Sequence, residues 1–585
     1  MTWWTGIRRT AACMAALLAA TPLLAQDIQP EETYGRQDRT QSVSANDFMI
    51  AAAHPAAVKA GYDVLKDGGT AVDAAIAAQM VLNLVEPQSS GIGGGAFLLY
   101  WDAKSRSLQA FDGRETAPFK ASPGYFLGPD GQPKGFWEAV IGGRSVGVPG
   151  TVRMLETAHR IHGKQAWKGL FEPAITLAKD GFEISPRMAS SIAGSAGEKR
   201  QLDRFPEARA YFFEADGSPK KAGTLLKNPE FADTLQLIAE RGADVFYKGE
   251  IARDIVKAVS IPAENPGILT LLDLERYQAK IRTPVCLPYR GYEVCGMGPP
   301  TSGGLSVGQI LGVLSHFNLP GQGPNSDSVH QFVEAAKLAY ADRALYIADA
   351  DYVSVPSSGL LDPAYLTTRA QRVNRNKAME KAIAGNPPWK EASLRSPDTD
   401  PERPGTSHLV IRDSYGNALS MTTTIETGFG SRIMVRGFLL NNELTDFSRA
   451  PEADGRPIAN RVEGGKRPRS SMAPTIVMKD GEPYLLVGSP GGSRIINYVA
   501  KTIVAILDWG MHPQQAVSLG HFVNRNGATD LEEGTEAVQF KGILEAMGHE
   551  VKIRNLNSGL HAILIHEGGL SGGADPRREG TVMGD

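Results

Sequence analysis

The stretch ERPGTSHLVIRDSYGNALSMTTT, residues 402–424, joins a Pro-rich charged run directly to a strand-like pattern at Gly405-Thr406. A Thr hydroxyl is a poor nucleophile until a base takes its proton, and no His–Asp pair is obvious as that base. If the chain is cut between Gly405 and Thr406, the new α-amine lies within reach of the same residue's Oγ. An α-amine titrates near neutrality, so it can be the base. That chemistry needs a small residue before Thr, an exposed linker whose end can withdraw, and a strand that holds Thr in place. The sequence offers all three. By residue type and spacing alone, the plainer reading of Thr406 is a β-branched residue opening a strand.

Other groups could serve the same chemistry. VGSPGGSRIINYVA puts Gly491 and Gly492 between a strand and the first turn of a helix, where free N–H groups and the helix dipole suit a developing oxyanion. KRPRSSMAPT offers Ser470 and Ser471 just before a strand, and NNELTDFS places Glu443 and Asp446 three apart. Acids for an amine, with hydroxyls and an Arg for a carboxylate, suit a zwitterionic ligand. Each of these alone also reads as a turn. Three competing signals fail on context. GIGGGA at 91–96 runs helix, glycines, strand, the reverse of a dinucleotide site. G-x-S-x-G around Ser145, Ser306 and Ser571 is expected by chance in so Gly-rich a chain, and GLSVG at Ser306 has PPTSGG before it where a nucleophile elbow needs a strand. His159 and His162 have no further metal ligand in place.

The elements that must position these residues follow from period and punctuation. Residues 55–85 read as two helices, with Gly68-Gly69 ending the first and Thr70 capping the second, and SSGIGGGAFLLYW is a Gly turn into a strand. Residues 150–260 are mostly helical, as are GLSVGQILGVLSHF and SVHQFVEAAKLAYADRALYIA. Residues 386–405 read as an exposed linker. A strand meander follows, with SYGN and KDGEP as turns, then a helix over SRIINYVAKTIVAILDWG.

The chain of 585 residues is 42% hydrophobic and carries net charge −3 without a basic stripe, so a sizeable core is expected and nucleic acid is not. The N-terminus has Arg8-Arg9, an apolar run over 10–25 and a cleavage-like Leu23-Leu24-Ala25, which reads as a secretory signal over 1–25; the plainer alternative is a buried helix. No later run is long enough to span a membrane. The expected location is outside the cytoplasm, in the periplasm of a Gram-negative source. Cys286 and Cys295 face each other if Arg290-Gly291 is a two-residue hairpin turn, and a disulfide is expected there, the alternative being two free thiols. Residues 26–46 are polar and read as loosely ordered.

From about residue 47 onward the chain resembles the γ-glutamyltransferase (γ-glutamyl transpeptidase, glutathione hydrolase) family. The resemblance is carried, in order, by GIGGGAFLL, DGRETAP, GVPGT, DGFEIS, FYKG, YRGYEV, PPTSGG, AYADR, GTSH, FLLNNELTDFS, KRPRSSMAPT, GSPGGSRII and SGGADPRREG. It implies an α+β fold, the four-layer αββα sandwich of N-terminal-nucleophile hydrolases. It also implies self-cleavage at Gly405-Thr406 into a large subunit (26–405) and a small one (406–585) that stay intertwined within one structural domain. By the same resemblance Thr406 is the nucleophile, Thr424 its hydrogen-bond partner, and Gly491 with Gly492 the oxyanion hole. Arg114, Ser470 and Ser471 would take the α-carboxylate of a γ-glutamyl group, and Glu443, Asp446 and Glu426 its α-amine. The implied substrates are glutathione or other γ-glutamyl compounds, with water, an amino acid or a peptide as acceptor and no metal or organic cofactor. The chain departs from the family pattern at Glu426, where Asn is common, at Thr445, where Asp is common, and in a short 449–465 loop without an aromatic residue. An acylase for another acyl group, such as glutaryl, and an uncut γ-glutamyl-peptide binder are the alternatives.

Overall fold

In a computed structural model of the chain, the described residues are Met1, 36–37 and 41–585, apart from 263, 320, 322, 391–393, 401–402 and 404. The expected signal segment beyond Met1 lies outside them, as does most of 26–40.

Helix α1 (Pro55–Lys66) opens on a proline and helix α2 (Ala71–Val85) on a reciprocal cap between Thr70 and Asp73. Every residue of α2 is buried, which its Ala-rich, uniformly apolar sequence allows. Gly61 lets the two helices and a strand close up, since a Cβ there would lie 2.3 Å from Ile50 Cδ1 and 3.2 Å from Ala74 O.

The strands before Gly405 that build the two main sheets are β1 (Val43–Ala45), β2 (Met49–Ala52), β3 (Gly95–Asp102), β4 (Ser107–Gly113), β5 (Lys280–Arg282), β6 (Val285–Tyr289) and β7 (Tyr292–Gly296). After it come β8 (Thr406–Arg412), β9 (Ala418–Thr424), β10 (Thr475–Lys479), β11 (Glu482–Gly488), β12 (His561–His566), β13 (Gly569–Ala574) and β14 (Thr581–Gly584). One sheet runs β14-β2-β8-β9-β3-β4-β5 and the other β1-β13-β12-β11-β10-β7-β6. Within β3, Leu98 and Tyr100 join the core under the α1–α2 layer, while Phe97, Leu99 and Trp101 join the core of the second sheet. A strand buried on both faces reads as a continuous apolar run, as GAFLLYW does. Helices α3 (Gly303–Leu314) and α5 (Ile495–Leu507) cover the second sheet, and α4 (Ser326–Tyr346) packs on α3. The layers are therefore helix, sheet, sheet, helix, as the family resemblance implied.

Three expectations need correction. The meander after residue 405 is not one sheet: β8 and β9 pair in the first, and β10 and β11 pair in the second. Both hairpins have tight turns, and turn chemistry does not say which sheet a hairpin joins. Residues 43–45, expected to be loose, form an edge strand against Leu570–Gly572. The 386–405 linker is not uniformly exposed: Asp398 is buried, with Oδ2 3.0 Å from an Arg469 nitrogen and 3.0 Å from Asn460 Nδ2. A buried charge needs such partners, and they lie far off in sequence. The Cys286–Cys295 disulfide is present, with Cα atoms 4.1 Å apart in the expected register across Arg290-Gly291. No helix among the described residues is long and apolar enough to cross a membrane.

Candidate active site

Thr406 is the first residue of β8, and its register partner is Thr424, the last residue of β9; Thr424 in turn pairs with Gly95 at the start of β3. The ends of three central strands thus meet at one end of the first sheet. The Thr424 hydroxyl donates to Gly405 O at 2.8 Å and accepts from Glu426 N at 2.8 Å. The Thr406 hydroxyl lies 3.4 Å from the same oxygen. Arg578 Nη1 donates to Thr406 O at 2.9 Å, which fixes the following peptide. Gly405 is required by packing, because a Cβ there would sit 2.0 Å from Glu426 O. The Gly405 carbonyl is therefore polarised by a hydroxyl donor, with a second hydroxyl beside it.

Arg114, Thr406, Thr424, Glu426, Glu443, Asp446, Ser470, Ser471 and Gly492 all line one cavity, so the sequence candidates converge. Gly491, just ahead of it, has φ 137 and leaves room for the Tyr498 ring, 2.7 Å from where a Cβ would be. The strand–Gly–Gly–helix order holds: β11 ends at Gly488, and a short turn over Gly492–Arg494 leads into α5.

The cavity brings one buried cation together with several buried carboxyls. Arg114 is fully buried; its guanidinium pairs with Glu443 and, at 2.7 Å, with Asp446. Burial opposes its charge, but Glu443 and Asp446 outweigh burial and hold it charged. Its Nε and Nη2 also donate to Pro468 O (3.1 Å) and Arg469 O (2.8 Å), which aims it at the Ser470-Ser471 turn. Arg343 Nη2 donates to Ser471 Oγ at 2.8 Å, and Ser470 Oγ accepts from Met472 N at 3.1 Å. Glu426 has its carboxyl pushed up to about 8, first by burial and then by the Glu443 charge; Asn442 Nδ2 donates to it at 2.6 Å. Thr445 Oγ1 accepts from the same Asn442 at 2.9 Å, so it buttresses the site from behind.

Several participants escaped the sequence reading. Glu115, next to Arg114, is buried and held well above the usual carboxylate range, by burial and then by Glu443. Arg403 lines the cavity, and its amide donates to Glu426 Oε1 at 3.3 Å. Its guanidinium lies 3.9 Å from the Phe136 ring centre. Arg343 arrives from α4 and Arg403 from the linker, and no local period marks such residues. With Arg403 in place the cavity measures about 20 Å³, room for about one water molecule.

Outside this cavity, His330, Glu334 and His549 are grouped closely enough to hold a metal. His330 Nδ1 and His549 Nε2 are 2.8 Å apart, and the Lys337 ammonium lies 2.8 Å from Glu334, so a resident cation already balances the acid.

Two face-to-face antiparallel sheets between helical layers, with a central strand opening at the cavity, define the class of N-terminal-nucleophile hydrolases. The chain belongs to the γ-glutamyltranspeptidase family, whose model, described as Gamma-glutamyltranspeptidase, matches residues 57–585. It is 38% identical to the glutathione hydrolase proenzyme of Bacillus subtilis (strain 168), over 98% of each chain. To the glutathione hydrolase proenzyme of Escherichia coli (strain K12) it is 36% identical, also over 98% of each. Among solved structures, the cephalosporin acylase of Bacillus halodurans superposes with a TM-score of 0.82 at 26% identity, over 95% of this chain and 99% of that one.

Proposed function

We propose that this protein is a γ-glutamyl hydrolase and transferase that makes its own nucleophile. The observation that carries the reading is the Thr424 hydroxyl, 2.8 Å from Gly405 O and 3.4 Å from Thr406 Oγ1, beside the Arg114–Glu443–Asp446 cluster. In the precursor, Thr406 Oγ attacks the Gly405 carbonyl carbon and the peptide nitrogen leaves, giving an ester. Thr424 holds the developing oxyanion. Water then cleaves the ester, freeing the Gly405 carboxylate and the Thr406 α-amine, and the large (26–405) and small (406–585) subunits stay together.

In the mature enzyme the α-amine takes the Thr406 hydroxyl proton as Oγ attacks the γ-amide carbonyl of glutathione or a relative. The amides of Gly491 and Gly492 receive the oxyanion, an arrangement in which losing one donor costs about 3–4 kcal/mol. The ammonium so formed protonates the leaving amine. Water, or the amine of an amino acid or peptide, then releases the γ-glutamyl group. Arg114, Ser470 and Ser471 bind its α-carboxylate, while Glu443, Asp446 and Glu426 bind its α-ammonium. Every protein group used is a side chain, a backbone amide or the Thr406 α-amine. The N-terminal segment supports export, with the periplasm as destination.

Intact mass and N-terminal sequencing test the first half: a small chain starting at Thr406 is expected. Thr406→Ala should stay uncut and release nothing from a γ-glutamyl anilide, and release by that variant would sink the reading. Similarity to a cephalosporin acylase keeps a second acyl group in view. The two acids facing Arg114 favour a ligand with an α-amine, so γ-glutamyl compounds should outrun glutaryl ones.

A further inference from the structure

Arg432 is 1% exposed, yet among the described residues its guanidinium donates only to uncharged oxygens. These are Arg200 O (2.9 Å), Thr427 Oγ1 (3.2 Å) and Gly430 O. Buried cations are costly without a counter-charge and are normally paired. Burial and then the Arg200 charge lower its pKa to about 9, with Glu426 pulling the other way. The loop that carries it is strained: Glu426, Phe429 and Arg432 have φ of 76, 65 and 73. Backbones in this region persist where the surroundings impose them, and they cluster at binding sites.

The Trp137 ring gathers three guanidiniums: Arg432 at 5.3 Å, Arg403 at 5.6 Å and Arg200 at 5.8 Å. Arg403 stands two residues before Gly405, on the side of the cut that withdraws. It bridges the Thr406 cavity and the aromatic wall, its amide on Glu426 and its side chain on Phe136. Trp137 thus stands beside the Arg403 side chain, and Arg432 and Arg200 lie against the same ring. A cleft of about 440 Å³ continues from the same ring, lined by Trp137, Ile141, Lys199 and Phe205. The same lining also carries Glu138, Glu198 and Glu264, the last 2.7 Å from an Arg204 nitrogen.

We propose that the space Arg403 vacates, walled by Phe136 and Trp137 and headed by Arg432 and Arg200, is a subsite for the carboxylate of the peptide that leaves or accepts the γ-glutamyl group. The inference rests on the γ-glutamyl reading and adds the chemistry of the other half of the substrate. With Nε and Nη1 of Arg432 bonded to Arg200 O, Thr427 Oγ1 and Gly430 O, its Nη2 is the nitrogen that would meet the carboxylate in a charge-assisted bond, and an indole face suits the peptide stem. In the precursor the Arg403 side chain fills this space.

The test uses the mature enzyme and three donors: γ-glutamyl-glycylglycine, its C-terminal carboxamide, and a γ-glutamyl anilide. The carboxylate donor is expected to have at least a tenfold higher kcat/KM than its carboxamide. The preference should lie in KM and shrink as salt screens the charges. Arg432→Gln should abolish the preference and Arg432→Lys should restore part of it, whereas a purely structural role would lower all three donors together. A wild-type enzyme that ignores the difference overturns the subsite even if no variant folds. A preference undiminished in Arg432→Gln overturns the assignment to Arg432. No release from the anilide by wild type overturns the γ-glutamyl reading itself, and the subsite with it.

Discussion

At the scale of single residues, the cavity turns on hydroxyls and on a carboxyl that is not fully charged. Thr424→Val removes the donor to Gly405 O while keeping the β-branched shape (2.8 Å in the wild type). Self-cleavage should slow by about a hundredfold or more, followed as loss of the uncut chain on denaturing gels, in keeping with loss of an oxyanion donor. Glu426, pushed up to about 8, is mainly neutral at pH 7 and ionises as the pH rises past that value. A charged acceptor binds an ammonium about 1 kcal/mol better than a neutral one. L-glutamate should therefore bind roughly three- to fourfold more tightly at pH 9 than at pH 7, and binding below pH 8 should release a proton as Glu426 ionises. Calorimetry in buffers of different ionisation enthalpy reads both effects. Glu426→Gln should flatten the pH dependence, and an unchanged profile in that variant would assign it to another group.

At the scale of elements, what the sequence reading reached and what it missed have a common physical cause. Local signals were legible. The Thr70 cap, the Gly68-Gly69 break, the tight turn at Arg290-Gly291 and the strand starting at Thr406 each depend on a few adjacent residues, and all stand where expected. The convergence of Arg114 with Glu443, Asp446 and the two serines was reached only through the family resemblance, because no period spans such distances in the chain. What stayed hidden depends on long-range burial: the split of the later strands between two sheets, the pinning of Asp398 by Arg469, and the approach of Arg343 from α4. The β6–β7 hairpin illustrates a local device at a sheet edge, where β6 has a neighbour on one side only. Its disulfide closes a short loop, the two cysteines being 9 apart in sequence. A loop of that size contributes about 2–3 kcal/mol by restricting the unfolded chain. Cys286→Ser with Cys295→Ser should lower the thermal midpoint by a few degrees and leave anilide turnover within about twofold, since the hairpin lies away from the cavity.

At the scale of the molecule, both main sheets interleave strands from the two sides of Gly405: β8 lies between β2 and β9, β14 pairs with β2, and β1 pairs with β13. A cut before Thr406 leaves every ladder hydrogen bond in place, so the fragments should co-elute in the absence of denaturant. Unfolding is another matter. A continuous chain regains these pairings by closing loops, whose cost grows only slowly with length. Two separate fragments must find each other while exposing bare strand edges, which invite aggregation. The uncut Thr406→Ala chain should thus refold from urea in good yield, whereas the cleaved enzyme should recover under about a tenth of its activity, with a yield that falls on concentration. Cleavage at Gly405-Thr406, as proposed, then acts as a ratchet. The working protein holds a shape that its own pieces can no longer reach, and its lifetime is set by how slowly it lets go.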